Sequence, residues 1–220
     1  MPIIGCQQRT EPLHSLRTTE RHDAFQLSHW FRCIEPFDIL IVPGLRGSSE
    51  AHWQSRWDRL LRSYGISVMR VRQPNWTHPD YNVWKENFIK AYDRCRRPVL
   101  IVAHSLGATL TVRVATECNL TNIGGALLVA VADVEQHEGR DADLVRTFAP
   151  LPSSVMNFPS FLLFSRNDPW LKVRRARQLA RAWNASLFDC GRLGHIGEDT
   201  QLGEWAEGLS ALTTLATYAA

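Results

Sequence analysis

No hydrophobic run long enough to span a bilayer occurs in the 220 residues: the longest unbroken apolar stretch, Ala126 to Ala132, is seven residues, against the roughly 18 to 20 that a membrane helix needs. The expectation is a soluble protein with no membrane partner. Cysteine is sparse and unpatterned. The five (Cys6, Cys33, Cys95, Cys118, Cys190) are odd in number, widely spaced and form no CxxC pair. That argues against a disulfide framework or structural zinc, and for reduced thiols in a cytoplasmic setting. An excess of one charge is also missing. The 25 Lys and Arg against 22 Asp and Glu leave +3, with a sequence pI near 8.7, too small a surplus to imply a nucleic-acid partner. The N-terminus lacks the apolar stretch of a secretory signal. With Glu11, Glu20 and Asp23 among its arginines, it also lacks the acid-poor composition of a transit peptide. There is no internal repeat and no low-complexity tract.

What is present is enough apolar material, 45% of residues, to bury the core of one domain. Residues 1–35 are polar and aperiodic, with prolines at 2 and 12. They are expected to form an arm, with a single domain over 36–220. From Phe37 onward, apolar runs end at turn residues and alternate with helical stretches, the signature of βαβ units. The predicted strands are Phe37 to Val42, Ile66 to Val71, Val99 to Ala103, Ile123 to Val131, Phe161 to Ser165 and Ala185 to Phe188. Their continuous apolarity suits parallel strands covered on both faces. Helices are predicted over 49–63, 80–94, 106–118, 170–183 and 198–217. The implied architecture is an α/β, doubly wound, mostly parallel sheet of about six strands. Such sheets bind ligands beyond the carboxyl ends of their strands.

One of those ends carries a recognisable turn. Strand Val99 to Ala103 runs into His104-Ser105-Leu106-Gly107 and then an apolar helix. Small residues two positions either side of a serine, here Ala103 and Gly107, are what a strained strand–turn–helix elbow requires, and that elbow presents the serine as a nucleophile. A serine hydroxyl needs a base within hydrogen-bond reach and an acid to orient the base. In the order Ser, acid, His, the acid is expected at Asp168, after Phe161 to Ser165. The base is expected at His195, in the glycine-rich loop Gly191 to Gly197. Asp133, which also follows a strand, is the competing acid. The oxyanion donors are expected to be the N–H groups of Leu106 and of Leu45, in the loop Pro43-Gly44-Leu45-Arg46-Gly47-Ser48. That loop lacks the spacing and lysine of a phosphate-binding P-loop.

Several further features read as structure. Trp53 with Trp57, and Trp84 with Phe88, sit four apart on helical faces and are expected in the core. Lys172, Arg174, Arg175, Arg177 and Arg181 are expected to form a solvated helix face. Glu135, His137, Glu138, Asp141 and Asp143 have no metal-ligand spacing, so no metal is expected.

Taken in order, Pro43-Gly44-Leu45, His52-Trp53 with Trp57, Gln73-Pro74-Asn75-Trp76, the elbow, Asn167-Asp168-Pro169 and Gly194-His195-Ile196 resemble the retinoblastoma-binding-protein type serine hydrolases. The resemblance covers about residues 37–210. It implies an α/β-hydrolase fold without a large lid and a Ser105, Asp168, His195 triad. It also implies hydrolysis of small ester or amide substrates without a cofactor. It places Trp76 and His52 near the mouth of the site as substrate-binding positions. Arg46 stands where a small residue is usual, which would narrow the mouth or favour an anionic substrate. The alternative is a hydrolase-fold module whose main role is binding a protein partner.

Overall fold

The computed structural model describes residues 30–219. Of the arm expected over 1–35, positions 1–29 lie outside the described residues. Residues 30–34 are helical (α1) and bury Phe31 and Ile34, so the folded body begins before Phe37. These two apolar residues lie three apart on one helical face, and the Phe31 ring stacks on Tyr64 with centroids 3.9 Å apart.

The six strands are β1 (Asp38–Val42), β2 (Val68–Arg70), β3 (Val99–His104), β4 (Ile123–Val129), β5 (Ser160–Phe164) and β6 (Ser186–Asp189). They form one parallel sheet in the order β2-β1-β3-β4-β5-β6. Successive side chains of a strand point to opposite faces, so the apolar runs feed two cores at once. Leu40, Val42, Ile101, Ala103 and Leu128 join one cluster. Ile39, Ile41, Leu100, Val102, Leu127 and Val129 join the other. The first is covered by α3 (Tyr81–Tyr92), α4 (Leu106–Glu117) and α5 (Val173–Trp183). The second is covered by α1, α2 (Trp53–Ser63) and α6 (Ala206–Ala219). Each buried Val, Leu or Ile side chain among them contributes about 1.5–3 kcal/mol. Trp53, Trp57, Trp84 and Phe88 are all buried, as their spacing suggested.

Two of the predicted helices differ from expectation. The first predicted helix begins at Trp53 and not near 49, because the Nδ1 of His52 accepts the Gln54 N–H at 3.1 Å and caps the helix there. The last predicted helix is broken. A 3-10 turn over Glu198–Thr200 is followed by a loop in which Gln201, Gly203 and Trp205 have positive φ, and this loop turns Trp205 back against Trp53 and Trp57. The longest connection, residues 130–159, carries a 3-10 segment, Asp143–Phe148, and no α-helix, which fits a fold without a large lid.

Strand order reverses at β1, which has β2 on one side and β3 on the other. The loops leaving β1 and β3 therefore emerge side by side, and a crevice at such a switch point is where open α/β sheets place ligands.

Candidate active site

β3 ends at His104, and Ser105 follows with φ 55° and ψ −125°, a conformation L residues adopt only where the surroundings hold it. Its N–H donates to the Val129 carbonyl at 3.0 Å. The turn fits because its neighbours are small. A Cβ on Gly107 would come within 2.4 Å of the Val42 and Pro43 carbonyl oxygens, and one on Gly44 within 2.7 Å of the Ser105 Cβ. The loop after β1 is thus pressed directly against the serine. Thr109, one turn into α4, donates its hydroxyl proton to the Ala132 carbonyl at 2.7 Å and ties the helix to the loop after β4.

His195 reaches the same point from the loop after β6. Its Nε2 lies 2.7 Å from the Ser105 hydroxyl, and its Nδ1 lies 2.8 Å from an Asp168 carboxylate oxygen. A carboxylate can only accept, so the Nδ1 carries the proton. Nε2 is left free to accept from the serine. The Asp168 carboxylate is fully buried and also accepts the Trp170 N–H at 2.8 Å. A hydroxyl bonded to an imidazole that is itself held by a carboxylate is the arrangement that makes an alcohol nucleophilic. Asp133 is engaged elsewhere. One of its oxygens receives the Glu135 and Gln136 N–H groups, and the other pairs with the Arg175 Nε at 3.2 Å, at an angle that makes no hydrogen bond. The structure brings Asp168 to His195, and not Asp133.

Leu45 lines a cavity of about 670 Å³ together with Arg46, His52, His104, Ser105, Arg192 and His195. Leu106 opens α4, so its N–H is one of the helix's first donors. Among the described residues, neither the Leu45 nor the Leu106 N–H donates to a protein acceptor. His52 reaches this cavity. Trp76 does not: it lies under Gly47, meets Trp84 edge to face at 5.4 Å, and accepts the Arg46 N–H on its carbonyl. It therefore supports the loop after β1 from the side of a neighbouring cleft. Arg46, whose φ is 65°, turns outward and grips Asp141 with both guanidinium nitrogens at 2.8 and 2.9 Å. The loops after β1 and β4 are thereby bridged beside the mouth. This pair holds the Asp141 carboxyl below its ordinary pKa and raises that of Arg46.

Sequence reasoning missed the residues that hold the histidine loop. The Ser165 hydroxyl donates to the Asn167 side-chain oxygen at 2.8 Å and accepts the Leu193 N–H at 2.8 Å, while that Asn167 oxygen also accepts the Gly194 N–H at 3.0 Å. The Trp53 indole donates to the Ile196 carbonyl at 2.8 Å, and the His104 Nε2 bonds the His195 carbonyl at 2.9 Å. Burial pushes His104 well below its ordinary pKa, with His195 adding to the shift, and pushes His52 down to about 4, with Arg70 and then His195 adding. Both are neutral imidazoles at pH 7. The only sequence signal for these supports was adjacency: Asn167 precedes the acid and His104 precedes the serine.

The acidic loop after β4 gathers no shared ligand set: Glu135 pairs with Arg175, Asp141 with Arg46, Asp143 with Arg146, and His137 stacks on Trp170. Arg175 thereby departs from the solvated face expected of it.

The model of a family described as serine hydrolase matches residues 39–214 of the chain. The Bacillus subtilis (strain 168) protein YdeN, named as a hydrolase, is 23% identical over 164 residues, which is 73% of this chain and 86% of YdeN. Among solved structures, a YdeN-like protein from Pectobacterium atrosepticum, likewise named as a hydrolase, superposes with a TM-score of 0.74 at 29% identity, covering 90% of this chain and 98% of that one. The ydeN gene product of B. subtilis gives 0.72 at 20% identity over 82% and 99% of the two chains. The mouse alpha/beta hydrolase domain-containing protein 10 gives 0.60 at 15% identity over 80% and 86%, a likeness of fold alone.

Proposed function

The chain belongs to the serine hydrolase family, and from that premise we propose that it hydrolyses small ester or amide substrates through an acyl-enzyme formed on Ser105. The observation that carries the reading is the 2.7 Å contact between the Ser105 hydroxyl and the His195 Nε2. In this mechanism the serine oxygen attacks the acyl carbonyl as its proton passes to His195, and Asp168 holds the resulting imidazolium. The N–H groups of Leu45 and Leu106 receive the oxyanion. Collapse expels the alcohol or amine, which takes the proton from His195. Water then attacks the acyl-enzyme and gives its own proton to His195, which returns it to the departing Ser105 oxygen as the acid is released. None of these steps needs a cofactor.

Within the family, the ordered motifs from Pro43-Gly44-Leu45 to Gly194-His195-Ile196 favour the retinoblastoma-binding-protein type, and the unpatterned cysteines favour a cytoplasmic setting. The test is labelling with a fluorophosphonate probe, with Ser105→Ala and heat-denatured protein as controls. Stoichiometric labelling confined to the folded native protein supports the reading, and p-nitrophenyl esters of increasing acyl length then define the acyl preference. A folded protein that takes no label overturns it in favour of the partner-binding module.

A further inference from the structure

A second cleft, of about 630 Å³, lies beside the Ser105 cavity and shares Arg46, Gly47 and Ser49 with it as a common wall. Four arginines, Arg46, Arg59, Arg70 and Arg72, meet there with two carboxylates, Glu50 and Asp58. The carboxylates are already engaged. Glu50 pairs with Arg59, and Asp58 is bonded at 2.5 Å to Arg62, which lies outside the cleft.

Arg70 is left with a poor partner. Its closest carboxylate contact, to Asp58, is 3.8 Å, too long for a hydrogen bond, although its side chain is only 18% exposed. One arm of its guanidinium donates to the Ser48 carbonyl at 3.0 Å. That bond fixes the group on the wall leading to Leu45. Arg72 follows two residues later along the same extended segment, is exposed, and has no ion pair among the described residues. Burial lowers the pKa of Arg70 against the opposing attraction of Asp58 and Glu50, and Arg72 and Arg59 add smaller contributions in the direction of burial. With Arg46 paired to Asp141 and Arg59 to Glu50, the charge left under-partnered in this concave site is that of Arg70, which shares Asp58 with Arg62, and of Arg72, and guanidinium forks are suited to carboxylate and phosphate oxygens.

We propose that this cleft is an anion subsite that seats a carboxylate or phosphate carried by the substrate at a distance from its acyl carbon, with Arg70 and Arg72 as the binding guanidiniums. The identity of the ligand as substrate rests on the acyl-transfer reading of Ser105. The shared wall is the reason for that identity: a chain running past Gly47 and Ser49 joins the two cavities.

Two measurements decide it. Calorimetric titration with inorganic pyrophosphate reads the site alone. The native protein is expected to bind, and Arg70→Gln/Arg72→Gln to lose about tenfold or more in affinity. Arg177→Gln/Arg181→Gln, which removes the same two charges on α5, should bind as the native protein does. Absence of binding, or binding unchanged in the double variant, overturns the proposal. The second measurement compares kcat/KM for mono-p-nitrophenyl esters of dicarboxylic acids, from succinate to suberate, with the neutral alkanoate esters of equal length. The expected result is a preference of about tenfold for the anionic ester at one chain length, diminished by added salt and by the double variant. Pyrophosphate binding without such a preference overturns the assignment of the anion to the substrate. Loss of all ester hydrolysis and of fluorophosphonate labelling in the native protein would instead refute the Ser105 reading, with calorimetry still deciding the site.

Discussion

At the scale of single residues, the backbone at Ser105 carries a strain that alanine shares, since φ is 55° with either side chain. Ser105→Ala is therefore expected to abolish turnover while leaving the thermal midpoint nearly unchanged; turnover near the native rate would remove the nucleophile assignment. The two aspartates separate in the same way. Asp168→Asn keeps the shape but disfavours the tautomer that accepts the serine proton, and kcat is expected to fall by about 10³–10⁴-fold. Asp133→Asn loosens an ion pair with Arg175, so its effect belongs to denaturation and not to kcat. Reversal of this ranking in steady-state kinetics would transfer the acid role to Asp133.

At the scale of elements, Gly107 fixes how closely α4 can approach the loop after β1. The carbonyl oxygens of Val42 and Pro43 would lie 2.4 Å from an added Cβ, and both belong to backbone that has little room to move. Gly107→Ala is expected to cost about 3 kcal/mol or more in urea denaturation, since overpacking against backbone exceeds the usual penalty in a core. Asn167→Ala acts on a different element. It releases the Gly194 N–H and the Ser165 hydroxyl that together hold the histidine loop, so kcat should drop several-fold or more while the denaturation midpoint moves little.

These cases show what the sequence made legible. The strands were readable because double-sided burial produces unbroken apolar runs, and the elbow because steric crowding forces small residues at fixed offsets from Ser105. The positions of Asp168 and His195 followed from strand ends. The histidine cap on α2, the break at Gln201 to Trp205 and the supports from Asn167 and Trp53 were not readable. Each depends on which distant segment arrives beside it, as when Trp57 donates to the Glu204 carbonyl. Trp76, placed near the mouth by the resemblance, packs against Gly47 and lines the adjoining cleft, a placement that depends on how the loop after β1 folds over it.

At the scale of the molecule, the neutral histidines behind the serine link stability to acidity. The pKa of His52 in the folded protein, about 4, lies below its ordinary 6.5. Protons are therefore taken up more readily by the unfolded chain, and the stabilising contribution is complete above pH 6.5 and lost as pH falls toward 4. For His52 alone the loss amounts to about 3 kcal/mol, and His104 adds in the same direction. His52→Asn retains a helix-capping acceptor but no titrating group, and should flatten the dependence of urea stability on pH between 7 and 5. An unchanged slope would show that His52 takes up its proton equally in the folded and the unfolded protein, with no lowered pKa.

The indole of Trp53 belongs to the buried core, yet its proton is held by the Ile196 carbonyl, one residue beyond the imidazole that serves the serine. That single proton is a built-in gauge. It can trade with deuterium from the solvent only when the histidine loop lets go, so its exchange rate, followed in a resolved indole NMR signal, counts the openings of the loop without any substrate being present.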